Sequence, residues 1–319
     1  MEEIIAPRVS VVIPVFNGEN YLAQAIESAL SQDGVTLEIL VVDDASTDRT
    51  PQIAQRYGAR VNYVRLNKQS TSLATTNRGI VLARGDYVSV LHHDDFYLRG
   101  KLRRHVELMD SHPEIGLSYS AQRYVDPKGS TLGALHSPVR RADYVDPGPG
   151  ELRHLIVQNY INFCNAVVRR TAYDLVGLFN EPLWISSEWE MWVRLASHFA
   201  VGYIDDPLVC YRLHRQAQTV SGTSDTLAFQ RQLHSVALAI YGNMPLPGTL
   251  MPRRRFTQAN VHLNTALLMG LRGQYRAALT SFARVLHYVR PWELPELLHS
   301  GAVLSRLIPR ARLLFLDKN

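Results

Sequence analysis

The stretch Val9-Ser-Val-Val-Ile-Pro-Val-Phe-Asn17 contains a β-branched run that predicts the first strand of the fold, over Val9 to Val15. The segment that follows is amphipathic, and its apolar residues share one helical face: Leu22, Ala25, Ile26, Ala29 and Leu30. A helix of this kind must bury that face against the strand. The pair therefore predicts the start of a βαβ unit, in which the next strand lies parallel to the first.

The same alternation continues to Ser120 and predicts an α/β fold with a mainly parallel sheet flanked by helices. Strands are predicted over Leu37–Val42, Val61–Leu66, Tyr87–Leu91, Phe163–Arg169 and Leu208–Leu213. Helices are predicted from Thr50-Pro51 and over Leu73–Ala83, Glu151–Gln158 and Glu188–His198. Proline, glycine and short polar residues break the period between Val125 and Gly150, which predicts a long mobile loop or lid.

A second break, Gly242 to Arg255, contains three prolines and separates a catalytic domain, residues 1–241, from a helical C-terminal region, residues 242–319. Within that region, the apolar pattern from Leu268 to Leu286 resembles one helix-turn-helix unit of the tetratricopeptide kind. Because a single repeat cannot bury its own face, we expect a helical hairpin packed on the catalytic domain rather than a partner-binding array. The basic amphipathic tail from Val303 to Leu316 is expected either to lie on an anionic membrane or to pack on the hairpin.

Composition narrows the class of protein. The chain has 319 residues, of which 46% are hydrophobic and 20% charged, so it can bury a large core. Cys164 and Cys210 are too few for a disulfide framework and are expected to be buried and reduced. Without an N-terminal basic stretch or an apolar run of ~18 residues, the chain is expected to be cytoplasmic and non-spanning, with peripheral contact at the inner face of the membrane as an option.

Net charge is unevenly distributed. The formal net charge is +5, yet residues 251–319 hold eleven Arg or Lys residues against three acidic ones, which leaves the first 250 residues slightly acidic. A slightly acidic catalytic part disfavours nucleic acid as a partner.

Three polar clusters follow the carboxyl ends of predicted strands: Phe16-Asn17, Asp43-Asp44 and Asp94-Asp95. Ligands of open α/β sheets bind beyond these strand ends, so the clusters indicate one site. Two adjacent carboxylates repel each other unless a cation or donors neutralise them. A hard divalent cation, Mg²⁺ or Mn²⁺, would do so together with diphosphate oxygens. The alternative is a capped turn that opens the next helix.

Four ordered motifs resemble those of glycosyltransferase family 2: residues 9–17, Val41-Val-Asp-Asp-Ala-Ser-Thr-Asp48, Gly85-Asp-Tyr-Val-Ser-Val-Leu-His-His-Asp-Asp95 and Tyr211-Arg-Leu-His214. The resemblance covers roughly residues 8 to 221. It implies a GT-A (Rossmann-like) fold and an inverting, metal-dependent transferase of the hexosyltransferase type. The donor would be a nucleoside-diphosphate sugar, with a UDP-sugar as the first choice. The acceptor would be a saccharide or a lipid-linked hydroxyl in polysaccharide or glycoconjugate synthesis.

The donor end follows from both lines of reasoning. Pro14 and Phe16 are expected to wall the nucleobase, and Asp44 to accept a hydrogen bond from it, unless Asp44 only caps its turn. The resemblance adds further donor contacts at Val15, Asn17, Glu19, Asn77, Arg78, His92, His93 and Asp95. Asn77 and Arg78 have an exposed helical face as the alternative.

Metal ligands are assigned to Asp94, which matches the family's ligand position, and to His214. The usual first acidic residue of the motif is replaced by His92, and imidazole suits Mn²⁺ or Zn²⁺ better than Mg²⁺.

Glu188 matches the position of the catalytic base, which would take the acceptor proton. The alternative is that Glu188 complements the helix dipole, while Ser187 and Glu190 form a capping box. Trp184 and Trp189 could supply an aromatic floor for an acceptor sugar.

Two other functions remain open at the sequence level. A nucleotidyltransferase would share the sheet and the metal, but the turn after the first strand lacks the basic residues of a phosphate loop. A non-catalytic nucleotide-sugar-binding module would bind the donor without turnover, as His92 and the altered base motif allow.

Overall fold

The computed structural model describes residues 6–214, 225–300 and residue 303. These residues form one ten-stranded sheet with helices on both faces and a helical C-terminal region. The strands are β1 Val9–Val15, β2 Leu37–Asp43, β3 Asn62–Arg65, β4 Tyr87–Val90, β5 Phe96–Tyr97, β6 Ile115–Val125, β7 Thr131–Leu135, β8 Tyr144–Asp146, β9 Ala166–Arg169 and β10 Ala200–Arg212. The helices are α1 Leu22–Leu30, α2 Thr50–Gln55, α3 Ser72–Leu82, α4 Lys101–Ser111, α5 Pro149–Leu155, α6 Arg170–Val176, α7 Ser187–Ala196, α8 Thr226–Asn243, α9 Arg254–Leu271, α10 Tyr275–Tyr288 and α11 Leu294–Ser300.

The main path of the sheet runs β3-β2-β1-β4-β9-β6-β10-β5. The first four strands are parallel, as the βαβ pattern predicts. From β9 onward most strands join antiparallel, although β6 and β10 are parallel to each other. The α/β fold class is confirmed, and the carboxyl ends of β1, β2 and β4 meet at one edge of the sheet.

Helix α3 packs closely on this parallel half. A Cβ on Gly79 would lie 2.2 Å from a Val12 methyl carbon and 3.3 Å from one of Val42, so only glycine permits the observed distance between helix and strands. Apolar side chains from the facing strands and helices complete the core on both faces of the sheet. The two cysteines are free and buried, as expected.

The segment between Val125 and Gly150 differs from its prediction. It contains β7, which pairs antiparallel with β6, and β8, which pairs antiparallel with β10. Tyr144 of β8 is buried, and its hydroxyl group hydrogen bonds to Tyr119 and to the Glu151 carboxylate. The prediction of a long loop is wrong because these strands take their stability from tertiary partners rather than from a local period.

Helices α9 and α10 form the expected hairpin, and α9 packs on the chain that follows α5. Thr257 Oγ1 donates to the Ile156 carbonyl at 2.8 Å, and Asn260 Nδ2 donates to the Val157 carbonyl at 2.9 Å. One apolar cluster contains side chains from both sides of the predicted boundary, among them Leu152 and Val285. The division into two domains stays a prediction. The basic amphipathic tail, expected either to lie on a membrane or to pack on the hairpin, lies outside the described residues, apart from Val303.

Among the described residues, no helix combines the length and the apolar character needed to cross a bilayer.

Candidate functional site

One cavity of about 780 Å³ opens at the carboxyl edge of the parallel strands. It brings together thirteen of the sixteen residues that the sequence places in the site: Pro14, Val15, Phe16, Asn17, Glu19, Asp44, His92, His93, Asp94, Asp95, Trp184, Glu188 and His214. A cavity of this size is large enough for a small-molecule ligand.

The acidic wall of the cavity follows β4 and is held by the end of β10. The backbone N–H of Arg212 donates to Asp95 Oδ1 at 2.8 Å, and Arg212 Nε donates to the Asp94 carbonyl at 2.9 Å. His214 Nε2 lies 2.9 Å from Asp94 Oδ2. Residues 120 positions apart in the chain therefore fix the orientation of this turn.

The two carboxyl groups of this wall titrate in opposite directions. Burial, and then the neighbouring charge of Asp94, raises the pKa of the Asp95 carboxyl well above its ordinary value. Burial would also raise the pKa of Asp94, but the hydrogen bond with His214 and the nearby His93 and His92 outweigh it and lower that pKa. The arrangement keeps negative charge on Asp94.

The same wall offers a set of ligands for a cation. One ligand atom from each of His92, Asp94 and Asp95 lies within 4.8 Å of the others. The Nε2 atom of His92 is buried without a hydrogen-bond partner in the described structure. Two carboxylates and an imidazole fit a divalent transition metal, since such donors are its common protein ligands.

Glu188 lies at the first turn of α7 and lines the cavity. Its Oε1 atom accepts the backbone N–H of Phe163 at 2.7 Å. Burial raises the pKa of this carboxyl to about 8, against a smaller lowering by that hydrogen bond. A carboxyl with a pKa near neutrality is suited to accept a proton from a hydroxyl.

The predicted capping box at the start of α7 is wrong. Neither Ser186 nor Ser187 caps the helix: Ser187 Oγ donates instead to the Trp184 carbonyl at 3.2 Å. Glu190 pairs with Arg194 one turn further on, at 3.0 Å. Because Glu190 pairs with Arg194, its carboxylate does not cap the N terminus of the helix.

The two tryptophans predicted for the acceptor lie in different environments. Trp184 lines the cavity with 38% of its surface exposed, and its backbone has a positive φ of 31°. Trp189 is buried, and its indole N–H donates to the Leu155 carbonyl at 2.6 Å. The acceptor prediction for Trp189 is therefore wrong, because its ring belongs to the core and its polar atom is already bound.

The neighbouring wall follows β1 and β2, which lie next to β4 in the sheet. Phe16 is 38% exposed at the cavity, and Asn17, with a positive φ of 50°, accepts the backbone N–H of Thr47. Asp44 is buried, and its Oδ1 accepts both the backbone N–H and the hydroxyl of Ser70, at 2.8 and 2.7 Å. An aromatic ring beside a carboxylate is suited to hold a flat heterocycle with N–H donors.

Asn77 and Arg78 do not line this cavity. The Asn77 side chain is occupied by the Phe179 backbone, donating to its carbonyl at 2.9 Å and accepting its N–H at 3.0 Å. Arg78 is exposed on α3. Their predicted donor contacts are corrected accordingly: Asn77 ties α3 to the chain before α7, and the exposed-face alternative fits Arg78.

Sequence reasoning missed two segments of the wall, Gln69–Leu73 and Asn162–Cys164. The first follows the carboxyl end of β3, so the strand-end rule applied to the other clusters could have found it. The second precedes β9, which joins the sheet antiparallel, and its sequence carries no comparable signal.

Comparisons with known proteins identify the family of this chain. The model of the family described as "Glycosyl transferase family 2" matches residues 10–174. An uncharacterized glycosyltransferase, RP339, of Rickettsia prowazekii is 29% identical over 238 residues, which cover 73% of this chain and 72% of that protein.

Two further similarities are local or structural. The succinoglycan biosynthesis protein ExoO of Rhizobium meliloti is 40% identical over 106 residues, 33% of this chain and 30% of that protein. The crystal structure of S. aureus TarS 1-349 in complex with UDP-GlcNAc has a TM-score of 0.67 at 19% identity, covering 96% of this chain and 89% of that one. The fold is therefore that of a known glycosyltransferase structure, and the match of the family model over more than half of the chain shows that this protein belongs to glycosyl transferase family 2.

Proposed function

We propose that this chain is an inverting glycosyltransferase that moves a sugar from a nucleoside-diphosphate sugar to a hydroxyl acceptor. The observation that carries the proposal is a single cavity with two kinds of carboxylate. Asp94 and Asp95 lie at the acidic wall with His92 as possible cation ligands, and Glu188, on α7, lines the same cavity outside that set of ligands. The first group suits a cation and a diphosphate, and the second suits proton transfer.

For the donor we propose a UDP-sugar. Phe16 and Asp44 offer a ring and a carboxylate to the base, and TarS, which shares the fold, was solved with UDP-GlcNAc. Asp94, Asp95 and His92 would hold Mg²⁺ or Mn²⁺. His214, which the sequence predicts as a ligand, would instead orient Asp94 through its hydrogen bond. When bound, the cation would neutralise negative charge on the diphosphate.

For the acceptor end we propose that Glu188, in its ionised form, takes the proton of the attacking hydroxyl. The Phe163 N–H holds one oxygen of Glu188, and the other oxygen, without a hydrogen-bond partner among the described residues, would receive the acceptor. Trp184 would provide an aromatic surface for a sugar ring at this end. The local similarity to ExoO supports a saccharide or a lipid-linked saccharide as the acceptor, in polysaccharide or glycoconjugate synthesis.

The first test is a thermal-shift screen of nucleoside diphosphates and nucleotide sugars, with and without Mn²⁺. A ligand selective for the folded state at about 100 times its Kd stabilises that state by about 2.7 kcal/mol. We expect UDP and a UDP-sugar with Mn²⁺ to raise the melting temperature of the wild type. Asp94→Ala should weaken this metal-dependent binding by about 10- to 100-fold, because it removes a ligand and the partner of His214.

The matched control for that variant is Asp206→Asn, which alters an exposed carboxylate paired with Arg104 on the protein surface. It should bind as the wild type does. Stabilisation by none of the diphosphates would contradict the proposal. Donor binding with neither hydrolysis nor transfer would instead identify a nucleotide-sugar-binding module.

A further inference from the structure

The helix α10 carries an exposed apolar stripe on its outer side. Tyr275 and Leu279 are each 70% exposed, Leu286 is 46% exposed and Phe282 is 39% exposed. Their spacing of i, i+4, i+7 and i+11 places them within an arc of about 60° and along about 16 Å of helix. Only Ser281 and Val285 of this helix are fully buried, against α9 and the core.

Positive charge borders the stripe. Arg276 is exposed on α10 next to the stripe, and Arg290 is exposed just after the helix; neither has an ion-pair partner among the described residues. Arg284 lies on the other flank of α10, near His234 and His262 of the packed helices. From position 226 to position 292 the sequence contains eight arginines and no aspartate or glutamate. The next two acidic residues, Glu293 and Glu296, are already paired with Arg255 and Arg253. This part of the surface therefore offers unbalanced positive charge.

A third feature follows the helix. Trp292 is 71% exposed, and the Arg290 guanidinium lies 5.4 Å from the centre of its ring. Exposed aromatic rings beside arginines are typical of the interface between a bilayer and water, where the ring is amphipathic and the cation meets lipid phosphates.

We propose that the outer side of α10, with Trp292, is a docking surface for an anionic lipid bilayer. This surface has the two components of an interfacial amphipathic helix: Leu279 and Phe282 can be buried among acyl chains, and Arg276 and Arg290 can be attracted to anionic headgroups. The proposal concerns a surface separate from the cavity. It does not depend on the proposed transfer reaction.

Charge distinguishes the bilayer from the other occupants. Two copies meeting through this surface would bring unpaired arginines together without an acidic residue from the region 226–292 to neutralise them. The tail after residue 303 has the same sign, with Arg306, Arg310, Arg312 and Lys318 against Asp317. An anionic bilayer can bury the apolar stripe and neutralise the arginines at the same time.

The experiment is flotation of the full chain with vesicles of phosphatidylcholine alone or mixed with phosphatidylglycerol. We expect binding to the mixed vesicles and little to the neutral ones. Binding should weaken from ~0.1 M to ~1 M salt, as the Debye length falls from about 10 Å to about 3 Å. The double variant Leu279→Ser/Phe282→Ser should lower partitioning at least about tenfold, because it removes two apolar side chains from the acyl region.

The matched control is Leu175→Ser, which changes a leucine that is 64% exposed on α6, and it should partition as the wild type does. UDP binding, or the melting temperature if UDP does not bind, shows that each variant is folded. Arg276→Gln/Arg290→Gln should reduce binding to anionic vesicles.

Three results would overturn the proposal. In the first, Leu279→Ser/Phe282→Ser binds vesicles as the wild type does, and binding is lost only in the variant Arg306→Gln/Arg310→Gln/Arg312→Gln. That result would assign the membrane contact to the tail. Another is absence of vesicle binding by the wild type. The last is a dimer in sedimentation equilibrium that Leu279→Ser/Phe282→Ser dissociates while vesicle binding is unchanged.

Discussion

At the residue scale, the two walls of the cavity differ in what their carboxyl groups can do. Asp94 is held ionised beside His214, whereas Glu188 has a pKa raised to about 8 and changes its protonation state near neutral pH. Environments that push the pKa values of neighbouring acids apart commonly separate their roles. Here the difference in pKa fits cation binding at Asp94 and proton transfer at Glu188.

Glu188→Gln is expected to reduce sugar transfer by about 10²- to 10⁴-fold, because the amide cannot accept the acceptor proton. Donor affinity should change little, since Glu188 is not among the possible ligands of the cation. In the wild type, kcat/KM should rise with pH through about 8 as this carboxyl ionises. The measurement is the initial rate of nucleoside diphosphate release with acceptor across this range, and unchanged transfer by the variant would reject the role of Glu188.

The same substitution has a consequence for stability. The pKa of Glu188 is raised in the folded state from 4.5 to about 8, so its contribution is fully present below about pH 4.5 and is lost as pH rises through about 8. The whole effect is roughly 2–5 kcal/mol. Glu188→Gln should therefore unfold at higher denaturant concentration than the wild type at pH 9, and the difference should shrink toward pH 5. A pH-independent difference would contradict the buried environment of this carboxyl.

His92→Asp is expected to shift metal preference toward Mg²⁺. An imidazole ligand favours Mn²⁺ over Mg²⁺, whereas a carboxylate accepts both, so the ratio of Mn²⁺ to Mg²⁺ affinity should fall by about tenfold. Titration calorimetry with each metal and UDP gives the ratio. Electron spin echo spectra of bound Mn²⁺ give a direct check, since a nitrogen coupling that persists in His92→Asp would show that this imidazole is not a ligand.

At the scale of elements, the sequence predicted the parallel half of the sheet well and the later strands less well. β1 to β4 are short β-branched runs separated by helices, so local pattern and tertiary role agree. Of β10, only the part from Leu208 was predicted. Its middle contains Asp205, Asp206 and Pro207, and there the pairing with β6 shifts register, as at a bulge. A polar interruption of this kind hides a long strand from any periodic pattern.

The residues of the site also fall into a part that the sequence predicted and a part that it did not. The strand-end rule found the residues after β1, β2 and β4, because their side chains must meet at one edge. It could not find Asn162–Cys164, which the antiparallel β9 brings to the cavity. The separate prediction that Trp189 contacts an acceptor sugar is wrong, since the sequence alone does not tell which face of α7 turns toward the core.

The pair α3 and α9 offers a matched test of glycine packing. Gly79→Ala should destabilise the protein by about 1–3 kcal/mol, because the new methyl group would overlap Val12. Gly270→Ala in α9 meets no atom within 4 Å and should stabilise the protein by about 0.5–1 kcal/mol through a less flexible unfolded chain. Urea denaturation measures both, and equal effects of the two substitutions would contradict the close contact of α3 with β1.

At the scale of the whole molecule, the hairpin and the sheet share one apolar cluster. Leu152 of α5, Phe256 of α9 and Val285 of α10 all belong to it, and Asn260 adds a hydrogen bond to the Val157 carbonyl. The sequence shows a break near residues 242–255 but not this shared core. Prolines indicate where a helix or strand is interrupted, and they carry no information on which elements pack together.

We therefore expect a single unfolding transition. Far-ultraviolet circular dichroism, tryptophan fluorescence and calorimetry should give coincident midpoints, and Asn260→Ala should lower all of them together. The control is Thr280→Ala. Thr280 is exposed on α10, and its hydroxyl donates to the Arg276 carbonyl of the same helix. Two separated transitions would instead support independent domains on either side of the predicted boundary.

The position of β10 in the sheet has a consequence for synthesis of the chain. β10 lies between β6 and β5, although it is made some eighty residues after β6, and its end supplies Arg212 and His214 to the acidic turn. On the ribosome, β6 must wait with one edge unpaired until residue 212 has emerged, at about 5–20 residues per second. An open edge is a template for pairing with another chain. Fragments that end at residue 174, where the family match ends, would keep that edge open and are expected to aggregate.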